Sequence, residues 1–361
     1  MPFEGLREFL YFLKDRNELV RVTREINPNS YEISSILDRV KRLSGKTLIF
    51  ENLKNFDVPL CANVLGSSKH VSMALETTED QIFPEWKKTK ISCWLSPTCL
   101  SEGPCHEMIV KREDIDLFRY PILKWHPYDA GPYITLGALI SKDPETKQQN
   151  MGFYRLMVQG KKQLGINLLE GRHAELHLKK AEAKGHPLEV AVAIGLDPAV
   201  TLAAATDLEF GQDELAFAGS LRGEPVKVVK CKTVDVEVPA SSEIVLEGEI
   251  SARVRVLEGP FGESTGFYGK THYKPVLKLK TITHREKPIF QATYTRKRPS
   301  EENFITSLNN WHCSHSTKDV RPNIFGSGCR RLKLELTAKR IRLPIKDRCK
   351  VAKDWSSYGL D

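Results

Sequence analysis

From Pro104 to about Gln291 the chain repeats short strand-like runs, each closed by Gly, Pro or Asp. Residues 133–140, 190–194, 226–230 and 243–250 are the clearest instances. Only two helical stretches interrupt them, 172–184 and 213–220. Many strands with few helices predict a barrel- or sandwich-like centre. The texture before it is different. Leu6, Phe9, Leu10 and Leu13 fall at helical spacing and predict an amphipathic opening helix; 18–23 alternates as a strand, 33–40 is helical and 47–50 is a short buried strand. The expectation is an α/β (α+β) chain in three parts: an N-terminal α/β unit over 1–105, a strand-rich centre over 106–305, and a basic C-terminal region over 306–361. A length of 361 residues suits two or three such units.

Composition bounds the setting. No apolar run approaches the roughly 18–20 residues that span a bilayer, so no integral membrane segment is expected. The start, Met1-Pro2-Phe3-Glu4-Gly5, lacks a basic region followed by an apolar core, so no secretory signal is read there. The eight cysteines are scattered, Cys231 inside an apparent strand, which fits reduced thiols in a cytoplasmic protein. Cys93, Cys99 and Cys105 recur every six residues with His106 adjacent, but structural zinc sites bring their ligands in CxxC-like pairs. The net charge of +8 is located rather than general: residues 330–353 hold ten Lys/Arg and two acids, leaving the rest neutral. No nucleic-acid partner is therefore expected for the body of the chain. The tail reads as a solvated surface element, after a polar, irregular stretch at 311–316.

Chemistry concentrates in a few places. Glu258-Gly-Pro-Phe-Gly-Glu263 holds two carboxylates five residues apart across a corner. Pro260 fixes one φ and carries no N–H, while Gly259 and Gly262 open conformations closed to other residues. This is a poor helix and a poor central strand, but a rigid loop. Asn150-Met-Gly-Phe-Tyr-Arg155 puts an amide and a guanidinium five positions apart; in one extended strand they would face opposite ways. If both serve one site, the backbone must bend, which Gly152 permits, or the site must wrap around the strand. Arg155, between Tyr154 and Leu156, is set to pair with a carboxylate of the protein or of a ligand. His173 and His177 lie four apart on a helical stretch, without the adjacent Glu of an HExxH pattern. Asp213 suits a helix N-terminus, whereas Glu214 is followed at once by apolar residues. Asn150, His173 and Glu214 together offer an amide oxygen, an imidazole nitrogen and a carboxylate, a set suited to Mg²⁺ or Mn²⁺ bridging to a phosphate. Arg155, Glu258 and Glu263 would then form a charged triad able to grip a carboxylate and move a proton.

These stretches, in this order and spacing, resemble the UbiD family of reversible (de)carboxylases that use prenylated FMN. The resemblance is carried by Asp129-Ala-Gly-Pro-Tyr-Ile-Thr135, Asn150-x-Gly-x-Tyr-Arg155, Arg172-His173, Glu214-Leu-Ala-Phe-Ala-Gly219, Val238-Pro-Ala-Ser-Ser-Glu-Ile-Val-Leu-Glu-Gly248 and Glu258-Gly-Pro-Phe-Gly-Glu263, and runs to about residue 305. It implies that Asn150, His173 and Glu214 hold Mn²⁺ (or Mg²⁺) against the cofactor phosphate, with K⁺ nearby. It implies that Thr135, Phe153 and Arg172 line the flavin site of a split β-barrel and that Arg155, Glu258 and Glu263 are catalytic. The implied reaction is non-oxidative decarboxylation of an aromatic or α,β-unsaturated acid, such as a 4-hydroxybenzoate derivative, through a covalent adduct with the flavin. Arg155, oriented by Glu258, would hold the carboxylate and Glu263 would deliver the replacing proton. A flavin prenyltransferase is the implied cofactor supplier and a homo-oligomer the implied assembly. Loss of CO₂ leaves electron density that no side chain can hold, which is consistent with an electron-sink cofactor. A donor such as Glu263 must stay partly protonated, which requires burial or a nearby negative charge.

Past about Asn310 the resemblance fades to an echo in Asp319-Val320 and Phe325-Gly-Ser-Gly328, and Arg296-Lys297-Arg298 stands where the family has a glycine-basic-Pro-Pro turn. Most of a third domain is expected to be missing or replaced. The expectations left open are a truncated or frame-disrupted member, a natural short form, or one half of a split enzyme. The alternative function is a non-catalytic flavin-binding subunit that needs a partner chain.

Overall fold

The computed structural model describes residues 3–297 and 300–308. The expectations for 311–316 and for the basic tail, and almost all of the third part, lie outside those residues.

The opening helix is Leu6–Asp15, and Leu6, Phe9, Leu10 and Leu13 are its buried residues, as their spacing requires. Arg7, on the same helix, reaches Glu243 with two bonds of 2.8 Å and ties the N-terminus to the centre. Behind the helix is a four-stranded sheet. Leu19–Val22 runs parallel to Thr47–Phe50, which pairs antiparallel with Leu60–Ala62. Its fourth strand, Phe290–Ala292, comes from far along the chain and lies parallel to Leu60–Ala62.

The centre is a nine-stranded, wholly antiparallel sheet that curls into a half-barrel. Its spine is the pair Ile244–Glu258 and His272–His284, whose register ends at Glu258 opposite His272. The acid-bearing corner is therefore the exit from the longest ladder in the molecule. On one side lie Gln163–Ile166, Leu156–Gly160 and Tyr133–Ile134; on the other lie Leu188–Ile194, Ala138–Lys142 and Gln149–Phe153. Met108–Val110 adds to His272–His284. A three-stranded sheet joins Thr98–Leu100 to Lys227–Lys230 and Glu237–Pro239.

The strand Leu188–Ile194 shows how the layers are built. Val190, Val192 and Ile194 enter one buried cluster while Ala191 and Ala193 enter a second on the opposite face. Both faces are covered, which is why this strand reads as a continuous apolar run rather than an alternation.

Two sequence readings need correction. The run 133–140 is two short strands, Tyr133–Ile134 and Ala138–Lys142, with Thr135 in the gap. Besides the expected helices His173–Ala183 and Glu214–Arg222, the centre contains Pro198–Ala204. Its start signal was present: Asp197 is the N-cap, accepting from the Ala199 and Val200 amides, and Pro198 occupies the first turn. Its small apolar residues follow directly on an apolar strand, and the transition is invisible to periodicity.

Asp197 carries a thermodynamic consequence. Burial pushes its carboxyl up to about 6, against the pull of Arg222 at 3.5 Å. A folded-state value above the unfolded one means that the native state binds this proton more tightly. The resulting stabilisation is complete below about pH 4 and is lost as pH rises through about 6. Asp197→Asn keeps the cap acceptor and removes the proton. Relative to that variant, the wild type should therefore gain about 1–3 kcal/mol between pH 7 and pH 4 in urea unfolding. A difference that stays flat with pH would refute this assignment.

Candidate active site

Arg155 stands at a break in the sheet. Gln149–Phe153 ends, Tyr154 and Arg155 belong to no strand, and Leu156–Gly160 begins. The bend needed to bring Asn150 and Arg155 to one region is thus at 154–155; Gly152 itself stays within the strand, opposite Leu139.

From that break Arg155 grips Glu258 in a fork, Nε to Oε1 at 2.7 Å and Nη2 to Oε2 at 2.9 Å. Its Nη1 reaches Glu263 Oε1 at 3.4 Å. All three members of the expected triad therefore meet. Burial opposes the charge on Arg155, but the hydrogen bonds and charge of Glu258 more than compensate, and its pKa is raised. The two acids differ in setting: the Glu258 side chain is 0% exposed, that of Glu263 is 43% exposed. Of the two routes expected to keep Glu263 partly protonated, burial is not seen in this chain; it falls on Glu258.

The loop between the acids is packed rather than merely stiff. Gly259 has φ +91°. Phe261 is buried, packs tilted against Tyr133 with 4.5 Å between centroids, and lies 5.0 Å beneath the Arg155 guanidinium. The amides of Glu263 and Gly269 donate to Phe267 O and Phe261 O, each at 2.9 Å, closing the following turn. A side chain at Gly269 would run into Glu263 Oε1.

Of the second expected set, Asn150 and His173 are in contact, and Glu214 bonds the backbone next to Asn150. Asn150 Oδ1 and His173 Nδ1 are 2.6 Å apart. Glu214, first residue of its helix, accepts from the amide of Met151 at 2.9 Å, one residue from Asn150. Asp213 is the N-cap of that helix, bonding the Leu215 amide, so the ordinary explanation holds for Asp213 and not for Glu214. Glu214 is buried, its carboxyl is pushed up to about 8 by burial, and among the described residues it has no ion-pair partner. A buried carboxyl without a cation, bonded to the backbone next to an amide–imidazole contact, is a donor set whose chemistry fits a divalent ion. Burial and the Arg172 charge lower the pKa of His173, favouring the neutral, ligating form.

The remaining expected residues are not drawn into either cluster. Thr135 Oγ1 accepts from the Thr293 amide at 3.1 Å. Phe153 packs against a core cluster, and Arg172 is turned outward to an ion pair with Asp207. His177 bonds Ser141 at 2.9 Å. Cys93 and Cys99 are exposed while Cys105 is buried, and no group of three His, Cys, Asp or Glu stands together among the described residues. No helix among them is long and apolar enough to cross a membrane. Lys274 carried no signal in the sequence. It lies across the ladder from Val256, donates to Leu168 O at 3.0 Å, and has its pKa lowered by burial, against the pull of Glu258.

Residues 98–298 match the family model described as the 3-octaprenyl-4-hydroxybenzoate carboxy-lyase Rift-related domain, and residues 10–89 match the corresponding N-terminal domain. An uncharacterized protein of Archaeoglobus fulgidus is 38% identical over 325 residues, 84% of this chain and 66% of the relative. The chain thus spans just under two thirds of the length of such curated relatives. Among solved structures it is similar to an evolved dimeric form of the UbiD-class enzyme HmfF from Pelotomaculum thermopropionicum in complex with prFMN. The identity is 36%, over 85% of this chain and 71% of that one, with a TM-score of 0.80. It is also similar to the closed form of vanillic acid decarboxylase from Sedimentibacter hydroxybenzoicus. Here the identity is 33%, over 86% and 68% of the two chains, with a TM-score of 0.83.

The unequal burial of the two acids predicts unequal costs. Glu258→Gln leaves a largely buried guanidinium without its counter-charge and should lower the unfolding free energy by about 2–4 kcal/mol. Glu263→Gln removes a long, part-exposed contact and should cost under about 1 kcal/mol. Urea titrations of both variants check this; equal losses would contradict it.

Proposed function

Because this chain belongs to the UbiD family of 3-octaprenyl-4-hydroxybenzoate carboxy-lyases, we propose that it catalyses reversible non-oxidative decarboxylation of an aromatic or α,β-unsaturated acid. The observation that carries the reading is the Arg155 fork on a fully buried Glu258 with Glu263 on the open side. HmfF has been solved with prFMN and with FMN, and we take a prenylated FMN as the cofactor here. When bound it would supply the electron sink that carboxylate loss requires.

The residues divide the work by environment. Asn150, His173 and Glu214 are the residues that would hold Mn²⁺ or Mg²⁺ against the cofactor phosphate, with K⁺ as a second ion. Arg155 presents Nη1 toward the open side of the site, where a substrate carboxylate can be held by a charge-assisted bond. Glu258 keeps the guanidinium in one orientation, since both of its oxygens are occupied by Arg155. Glu263 is the acid with freedom to move a proton, through Oε1 or Oε2, to the carbon that loses CO₂. Thr135, Phe153 and Arg172 are proposed to border the flavin, which requires Arg172 to exchange Asp207 for the cofactor. A flavin prenyltransferase as cofactor supplier, a homo-oligomer and a cytoplasmic setting complete the proposal.

Protein made alongside a flavin prenyltransferase should carry flavin-like absorbance and release CO₂ from members of a panel of aromatic and cinnamic-type acids. In that preparation Glu263→Gln should keep the cofactor and lose about 10²–10⁴-fold in CO₂ release. Full activity in the variant would remove Glu263 from the proton step. A loaded wild type that is inert across the panel would favour a non-catalytic flavin-binding subunit. Independently, His173→Ala should lose most of the manganese found in the wild type by elemental analysis, together with flavin retention.

A further inference from the structure

The acid-bearing corner is held from outside by a residue with no role so far. Asp129 is buried, and its two oxygens are both taken by backbone amides from separate segments. Oδ1 accepts from Gly262 at 2.8 Å, and Oδ2 accepts from His126 at 2.9 Å. Among the described residues no Lys, Arg or His forms an ion pair with it. Its neighbours bind the same corner: the Ala130 amide donates to Pro260 O at 2.9 Å. The ring of His126 lies where a side chain at Gly262 would be, and is itself fixed by a 2.8 Å bond to Thr295 O.

We propose that Asp129 is a positioning residue for the acid loop, fixing Glu263 relative to Arg155 by gripping the amide of the preceding residue, Gly262. Keeping an unpaired carboxylate buried is costly, and its use here is specific. Two converging N–H groups need two acceptors. A carboxylate supplies them, whereas an Asn side chain has one acceptor and turns N–H toward the other amide. The grip acts on one end of the loop only. Glu258 is held independently, by its ladder register with His272 and by the Arg155 fork. Glu263 follows Gly262 directly, so loosening Asp129 displaces the exposed acid and leaves the buried one in place.

The catalytic part of this inference rests on the decarboxylase reading above; the geometric part does not. In cofactor-loaded protein, Asp129→Asn should lower kcat by about 10- to 100-fold with KM for the acid within about twofold and cofactor absorbance unchanged. The reason is that Arg155 and Glu258 still hold the carboxylate while the proton donor is misplaced. Amide hydrogen exchange at Gly262 should quicken by about tenfold or more in the same variant. Unchanged kcat and exchange would overturn the proposal. So would a joint loss of kcat, KM and cofactor content, which marks a general structural defect. If the variant does not fold, exchange in the wild type decides: Gly262 should be protected like the central strands, and exchange at the rate of an open loop overturns the grip. A loaded wild type that decarboxylates nothing counts against the decarboxylase reading, while Gly262 exchange still tests the grip.

Discussion

Glu258 is a carboxylate with no access to water, and the site is built around that fact. A charge so placed must be met by a cation of matched geometry, and the Arg155 fork meets both of its oxygens. The sheet breaks at Tyr154 and Arg155, and it is from that break that the guanidinium reaches Glu258. The same pairing fixes the height of Arg155 above Phe261 and, through it, above Tyr133. One desolvated ion pair thus lies at a strand break, over a tilted ring pair, and sets the direction in which the remaining guanidinium nitrogen points.

The Asn150–His173 contact and the Arg155–Glu258 pair lie on either side of that break. Asn150 lies in the strand before it and Arg155 at its end, five residues apart. Glu214 meets this strand by accepting from the backbone of Met151. The same few residues of backbone therefore carry Asn150, the acceptor contact of Glu214 and Arg155.

Much of this was legible in the residues. The opening helix announced itself through Leu6, Phe9, Leu10 and Leu13, and the acid loop through two carboxylates flanking Gly-Pro-Phe-Gly. Asn150, His173 and Glu214 suggest themselves together by ligand chemistry; Asn150 and His173 are in contact, and Glu214 bonds the amide next to Asn150. What was hidden depended on tertiary facts. That Glu258 is buried and Glu263 part-exposed depends on how Arg155 arrives, and nothing in the loop distinguishes the two acids. Lys274 is one lysine among many until the ladder places it across from Val256. Asp129 was visible as an acid before a Gly-Pro turn, but its partner is 133 positions away. The helix Pro198–Ala204 was missed for a local reason: small apolar residues suit a buried strand and a buried helix equally.

The parallel strand Phe290–Ala292 on the N-terminal sheet has a consequence for how the chain is made. Leu60–Ala62 leaves the ribosome with one edge open, and its partner follows roughly 230 residues later. At about 5–20 residues per second that interval is on the order of 10–50 s. Throughout it, the backbone groups of a buried, apolar strand await a neighbour that the entire barrel must precede. The four-stranded N-terminal sheet is therefore complete only once residues 290–292 have been made.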